Sequence, residues 1–197
     1  MTLRIARLKS PLAGPFDLAI EAGECIAITG ASGSGKSLFL RMIADLDPSE
    51  GDVFLDDRSR REMPAPEWRR QVVYNPAEPG WWAEDVASHF TDLAAARALA
   101  PRLGVPGELF DGPVLRLSTG ERQRLGLIRT LALDPKVLLL DEPTGALDAD
   151  NTALVEGVLK QRLEAGTAIL MVTHSAEQAG RLADRRFRMA ERRLLGV

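Results

Sequence analysis

The chain has 197 residues, 45% of them hydrophobic, and this length allows one sizeable core with at most a small appended part. Its 28 acidic and 25 basic residues give a net charge of −3, which excludes a protein that binds nucleic acid through overall basic charge. No apolar stretch approaches the roughly 20 residues that span a bilayer, so we expect membrane contact only through a partner.

The single cysteine, Cys25, excludes an internal disulfide and is typical of a reducing compartment. It lies in the apolar run CIAIT, which favours a buried structural thiol over a reactive one. Two arginine-rich runs, at 58–61 and 185–188, are expected to be solvated faces rather than interaction surfaces.

The first part of the chain predicts strands and a helix in alternation. A short aliphatic run at 24–30 predicts a buried strand. Helical spacing of apolar residues follows over 35–46 and ends before Pro48, as helices do. Residues 52–57 and 71–75 predict two further strands.

From about 77 to 133 the pattern changes to helical material without a convincing strand. The run 91–104 is typical of this part and is interrupted by Pro101. We therefore predict a helical insertion in the middle of the fold.

The last third returns to alternation, with strands predicted at 136–142 and 167–174. Helices are expected after them, at about 149–165 and 176–184. Strands that are apolar on both faces and alternate with helices predict an α/β fold with a mostly parallel sheet covered on both sides.

Between the first buried strand and the first helix the sequence reads GASGSGKS, which fits the pattern G-x-x-x-x-G-K-[ST] in the strand–loop–helix context that the pattern requires. Glycines let the backbone wrap a phosphate, Lys36 reaches the β- and γ-phosphates, and the Ser37 hydroxyl ligates Mg²⁺. The predicted nucleotide-binding residues are Gly30, Ala31, Ser32, Gly33, Ser34, Gly35, Lys36, Ser37 and Leu38.

Two carboxylates, Asp141 and Glu142, end the aliphatic strand in LLLDEP. In an open α/β sheet, ligands bind outside the carboxyl ends of the strands. Asp141 is therefore expected to hold Mg²⁺ through water, and Glu142 to polarise the attacking water as general base. The alternative, two acids that merely end an exposed strand, is disfavoured by the aliphatic residues before them.

With LSTGE at 117–121 between these two motifs, the chain resembles the nucleotide-binding domain of ABC ATPases. The motif order agrees: phosphate loop, helical insertion, signature, acid strand and histidine strand. The resemblance implies one ABC ATPase domain over 1–197, with a P-loop NTPase core sheet, a helical subdomain at roughly 77–133 and a small antiparallel β part.

The resemblance also implies that two such chains pair head to tail, so that a two-fold homodimer sandwiches two ATP molecules. Each signature helix then points at the γ-phosphate bound to the other subunit. The residues expected to act in trans are Ser118, Thr119, Gly120 and Glu121 of the signature, with Asp148 of the GALD loop.

His174 ends the next predicted strand after the one that carries Glu142. It matches the family's switch histidine, which contacts the γ-phosphate. The implied catalytic set of this Mg²⁺-dependent ATP hydrolase is thus Glu142, His174 and Lys36. The second histidine, His89, has no such support and is expected to be incidental.

The sequence departs from the family pattern at three places. Ala77 stands where the family's Q-loop carries a glutamine that touches Mg²⁺ and the attacking water, which predicts slower or differently coupled hydrolysis. Thr119 replaces a signature glycine, although Ser118 and Gly120 are retained. The loop that often supplies an aromatic for adenine holds only Phe16, which is expected to pack in the core.

Two adjacent tryptophans, Trp81 and Trp82, follow the Q-loop. In transporters of this family the corresponding surface receives a short helix of the membrane subunit, and exposed aromatics suit such a pocket. Packing of one tryptophan in the core with exposure of the other is the alternative.

The leading interpretation is the ATPase subunit of a transporter, which powers a separate transmembrane permease. It is expected on the cytoplasmic face of a bacterial cell membrane, and no nucleic-acid partner is expected. One alternative is a soluble ABC ATPase of DNA repair or translation, which typically carries insertions that this chain lacks. Another is a regulatory module that hardly hydrolyses ATP, which Ala77 makes conceivable. No residue identifies the cargo.

Overall fold

The computed structural model describes residues 2–196. The strands are β1 (Thr2–Ser10), β2 (Ala13–Glu21), β3 (Cys25–Thr29), β4 (Glu50–Leu55), β5 (Arg58–Ser59), β6 (Val72–Asn75), β7 (Val137–Asp141), β8 (Ala168–Val172), β9 (Arg185–Ala190) and β10 (Arg193–Gly196). The α-helices are α1 (Lys36–Ile43), α2 (Ala65–Gln71), α3 (Leu93–Leu99), α4 (Thr119–Leu131), α5 (Ala149–Glu164) and α6 (Ala176–Leu182).

The central sheet has six strands in the order β10-β9-β3-β8-β7-β6, and all but β10 run parallel. Its inner strands are buried along almost their whole length, as the continuous aliphatic runs in the sequence require. Helices cover both faces. The predicted α/β fold with a mostly parallel core sheet is confirmed.

The core lies on both faces of this sheet because successive side chains of a strand point to opposite sides. Ile26 and Ile28 of β3 face a cluster that includes α1 and α2, whereas Cys25 and Ala27 face one that includes α4 and α5. Burial raises the pKa of the Cys25 thiol to about 12. The expected buried, unreactive cysteine is what the structure contains.

A second sheet, in the order β2-β1-β4-β5, is antiparallel and packs against the first cluster. The resemblance implied such a part, but the prediction assigned no strand to residues 2–21. The signal was present in β2, where buried Phe16, Leu18 and Ile20 alternate with exposed residues. Phe16 packs on Phe39 with ring centroids 4.4 Å apart, so its expected core position is confirmed.

Helix α2 was not predicted, and the expectation of a solvated arginine run at 58–61 is wrong for Arg60. Arg60 is only 7% exposed, and its guanidinium donates to the Met42 carbonyl at the end of α1 and to Ser49 Oγ. Trp68 of α2 is fully buried, and its indole N–H donates to the Ile43 carbonyl at 3.0 Å. Both side chains donate to carbonyls at the end of α1, where a helix lacks its regular backbone donors.

Residues 77–133 contain α3, α4 and short 3₁₀ turns, with one isolated β-bridge between Asp85 and Pro113 as the strand-like pairing described there. Apolar residues of this insertion, such as Phe110 and Leu127, join the same cluster as Leu138 of the central sheet. The insertion is therefore packed on one face of the core sheet, next to the strand ends that carry the acids.

Candidate active site

The loop between β3 and α1 is shaped by glycines in left-handed conformations. Gly30 has φ +149° and Gly35 has φ +102°, values that other residues rarely adopt. A Cβ on Gly30 would lie 2.4 Å from the Met189 carbonyl oxygen of β9, so no larger residue fits there. The loop is thereby held against β9 and leads directly into α1.

Lys36, the first residue of α1, is folded back over this loop. Its ammonium donates to the carbonyls of Gly30 and Ala31 at 2.8 and 2.9 Å, and the side chain is nearly buried. Helix α1 has no side-chain cap, which leaves N–H groups of its first turn for an anion. Ser34 Oγ is buried without a hydrogen-bond partner in residues 2–196. Donors thus converge where a phosphate fits.

Asp141 is the last residue of β7, and it is 5% exposed. The Tyr74 hydroxyl of neighbouring β6 donates to Asp141 Oδ2 at 3.0 Å, which fixes the orientation of the carboxylate. Burial, together with the charge of Asp141, raises the pKa of Tyr74 above its usual range, so the phenol stays a donor. Tyr74 was missed by the sequence reasoning, although it belongs to the predicted strand 71–75.

Glu142 and His174 lie next to each other at the ends of β7 and β8. The backbone N–H of His174 donates to Glu142 Oε2 at 3.2 Å, and His174 Nε2 lies 3.2 Å from Glu142 Oε1. Burial raises the pKa of the Glu142 carboxyl, and the His174 N–H opposes part of that rise. A carboxylate with a raised pKa is a better general base for water.

The backbone of Glu142 is itself strained, with φ +47°. Its N–H donates to the Val172 carbonyl at 2.9 Å, and its carbonyl accepts from Gln123 Nε2 at 2.8 Å. Gln123 Oε1 in turn accepts the N–H of Ala146 at 3.0 Å. Gln123, a buried residue of α4 that the sequence reasoning missed, therefore joins the insertion to the base and to the GALD loop.

These elements enclose one cavity of about 400 Å³. It is lined by Leu12, Ser32, Gly33, Gly35, Lys36, Ser37, Leu38, Ala77, Asp141, Glu142, His174 and Arg192. Gly30, Ala31 and Ser34 complete the loop behind this lining. The cavity thus brings together the phosphate loop, the acid pair and the histidine, and it adds two residues that were not predicted, Leu12 and Arg192.

The signature residues lie outside that cavity. Ser118 is the N-cap of α4, its backbone N–H and its hydroxyl donate to Glu121 Oε2 at 2.8 Å each, and these bonds lower the pKa of Glu121. Gly120 lies beside Leu147 of the GALD loop. Asp148 is likewise absent from the lining and caps α5 by accepting the N–H of Asn151 at 2.8 Å.

The two tryptophans differ in exposure: Trp82 is 71% exposed, whereas Trp81 packs against the core. His89 is buried, and its Nε2 accepts the backbone N–H groups of Trp82 and Ala83 at 2.8 and 3.0 Å. The expectation that His89 is incidental is wrong, because it holds the tryptophan loop. Arg129 lies under the Trp82 ring, 4.9 Å from its centroid.

The family model described as "ABC transporter" matches residues 14–145 of this chain. This chain belongs to the ABC transporter family. Its resemblance to ABC ATPases is therefore confirmed, and as an ABC ATPase it binds and hydrolyses ATP.

Other ABC proteins resemble this one over most of their length. The chain is 38% identical over 185 residues to an aliphatic sulfonates import ATP-binding protein of Paracoccus denitrificans, covering 89% of this chain and 70% of that protein. It is 36% identical over 186 residues to the lipoprotein-releasing system ATP-binding protein of Idiomarina loihiensis, covering 85% and 81%. One of these relatives is named for the import of aliphatic sulfonates and the other for the release of lipoproteins.

Among solved structures, a bacterial ABC transporter cassette determined as a dimer matches with a TM-score of 0.84 at 22% identity, over 98% of this chain and 96% of that one. The fold of that cassette therefore matches nearly the whole of this chain. Within residues 2–196, no helix is long and apolar enough to cross a membrane.

Proposed function

We propose that residues 1–197 form a single ABC ATPase domain that powers transport through a separate transmembrane permease. The observation that carries the proposal is the division of the site: the phosphate loop, Asp141, Glu142 and His174 share a cavity, and the signature does not. One chain therefore holds the hydrolytic groups without the helix that would cap the γ-phosphate. A second copy of the chain supplies it.

In this mechanism Lys36 exchanges its two loop carbonyls for oxygens of the β- and γ-phosphates. Ser37 and Asp141, which both line the cavity, would hold Mg²⁺, a donor set that fits because this ion typically takes one or two protein oxygens plus phosphate and water. When bound, the ion neutralises charge that develops on the phosphates. Glu142 accepts a proton from the attacking water, and His174 fixes the carboxylate that accepts it.

The partner's signature would complete the other face of the γ-phosphate. We assign Ser118, Thr119, Gly120 and Glu121 of one chain, with Asp148, to the site of the other chain. The N-terminus of α4 offers backbone N–H groups and a positive dipole end to that phosphate. Rotation of the Ser118 hydroxyl away from Glu121 would give it one more donor.

The permease is proposed to dock on the groove beside Trp82. This groove has a volume of about 260 Å³, and Tyr74, Phe90, Arg129 and Leu133 contribute to its lining. Tyr74 also holds Asp141, so an occupant of the groove lies one side chain away from the acid strand. The chain then works as a peripheral protein on the cytoplasmic face of a bacterial membrane, which it contacts through the permease.

The proposal is tested with Glu142→Gln, which removes the base and keeps the size of the side chain. With Mg²⁺ and ATP, wild type should turn over, whereas the variant should lose at least about 100-fold in turnover and accumulate as an ATP-bound dimer. Turnover and light scattering after gel filtration measure the two effects.

Glu164→Gln, at the exposed end of α5, is the matched control and should behave as wild type. If Glu142→Gln retained turnover, Glu142 could not be the general base. A Glu142→Gln variant that stays monomeric at saturating ATP would contradict the two-chain site.

A further inference from the structure

Two turns border the nucleotide cavity on the side away from the acids. The sheet order places β7 and β8, with Glu142 and His174 at their ends, on one side of β3, and β9 on the other. Arg192 lies in the turn after β9, and Leu12 lies in the turn between β1 and β2. A nucleotide with its γ-phosphate toward Glu142 therefore extends its base toward Leu12 and Arg192.

These two turns are bonded to each other. The Gly14 N–H donates to the Arg192 carbonyl at 3.2 Å, and both Leu12 and Arg192 line the same cavity as Lys36. The Cγ of Arg192 lies 4.0 Å from where a Cβ of Gly35 would be, so the stem of this side chain lies beside the phosphate loop.

Arg192 occupies a backbone conformation that suits a glycine. Ala190 pairs with Arg193, which leaves a two-residue turn of Glu191 and Arg192 with φ +47° and +60°. Turns of this kind favour Asn-Gly because both central residues have positive φ. A long side chain kept in such a position is a feature that clusters at functional sites.

The guanidinium of Arg192 is free for a ligand. Within residues 2–196 it has no ion pair and no hydrogen bond, unlike Arg185 of the same hairpin, which pairs with Glu24 at 2.5 Å. Leu12 is also 58% exposed. An unpaired planar cation and an exposed aliphatic side chain thus face the same end of the cavity.

That end of the cavity has no aromatic platform for a base. Of the described residues, no Phe, Tyr or Trp lines the cavity, and Phe16 is buried on Phe39. A purine nevertheless needs a flat or apolar contact on its ring face, and the guanidinium of arginine provides one by stacking. The positive charge of the guanidinium is also attracted to the face of the purine ring.

We propose that Arg192 stacks on the purine base of the bound nucleotide, with Leu12 packed against the same base, in place of an aromatic residue. The inference rests on the nucleotide site proposed above. Because a stacked guanidinium contacts the ring face, it holds adenine without contacting the phosphates.

The test compares ADP with inorganic pyrophosphate, which has the same two phosphates and no adenosine. Calorimetric titration of the full chain with Mg²⁺ should give an ADP affinity about tenfold lower in Arg192→Ala, or about 1.4 kcal/mol. Pyrophosphate affinity should stay within about twofold of wild type. Arg193→Ala, next to it on β10 and outside the cavity lining, should change neither.

Two further variants separate stacking from charge and from folding. Arg192→Lys keeps the charge without the plane and should lose most of the ADP affinity that Arg192→Ala loses. Arg192→Gly relieves the left-handed turn, so its Tm should rise by about 2–4 °C while its ADP affinity falls.

An equal loss for ADP and pyrophosphate would overturn the stacking role and assign Arg192 to the phosphates. Unchanged ADP binding in Arg192→Ala would overturn any contact. If wild type bound neither ADP nor pyrophosphate, the nucleotide site itself would fall, and the inference with it.

Discussion

The two walls of the nucleotide cavity are built by different means. On the sheet wall, Asp141 ends β7, His174 comes shortly after β8, and Lys36 begins the helix that the phosphate loop joins to β3. On the insertion wall, Ala77 lines the cavity, and Gln123 of the signature helix reaches behind the wall to the Glu142 carbonyl and the Ala146 N–H. The first wall carries the chemical groups at the ends of the central strands, whereas the second contacts them through the side-chain hydrogen bonds of Gln123.

Removal of the Lys36 ammonium from the sheet wall should have the largest effect. Lys36→Ala should lower ATP affinity and turnover by at least about 100-fold, because a positioned ammonium on the phosphates is worth several kcal/mol. Nucleotide titration and phosphate release measure the two quantities. Lys160→Ala, exposed on α5, should match wild type. Wild-type turnover in Lys36→Ala would show that this wall does not carry the chemistry.

Removal of the Gln123 side chain, which joins the two walls, should have an intermediate effect. Gln123→Ala leaves the Ala146 N–H without its partner and removes one of the two donors to the Glu142 carbonyl, at a cost of about 1–3 kcal/mol. We expect turnover to fall about tenfold with ATP affinity almost unchanged, since the phosphate loop is untouched. Gln161→Ala, at an exposed position of α5, is the control. A loss of ATP affinity equal to the loss of turnover would mean that the walls are not separable in this way.

The smallest effect is expected on the insertion wall itself. Ala77→Gln places an amide where the cavity now has a methyl group, and turnover should rise by about two- to fivefold if this position limits hydrolysis. Ala77→Leu adds similar bulk without a polar group and should not raise turnover. If Gln at this position left steady-state turnover unchanged, the limitation would have to lie elsewhere.

The same division explains what the sequence could predict. Strands β3, β7 and β8 are buried on both faces, so their aliphatic runs stand out, and the residues at their ends inherit fixed positions. The phosphate loop, Asp141, Glu142 and His174, which the sequence predicts as site residues, lie around one cavity in the structure. Their prediction came from local motifs and, for His174, from the resemblance to ABC ATPases.

Side chains with distant partners could not be found in this way. Arg60 is buried because the end of α1 needs donors, and His89 is buried because it accepts two N–H groups from the tryptophan loop. Each looks like an ordinary surface residue in the sequence. The hairpin of β1 and β2 is a different case, since the alternation in β2 was a readable signal that the prediction did not use.

The buried thiol of Cys25 has a practical consequence for work on this ATPase. It is the single cysteine of the chain, it is fully buried, and its pKa near 12 keeps it protonated at neutral pH. Thiol-reactive dyes and spin labels should pass it over. A cysteine introduced on the surface could therefore report distances between two subunits by fluorescence or electron resonance without removal of the native one.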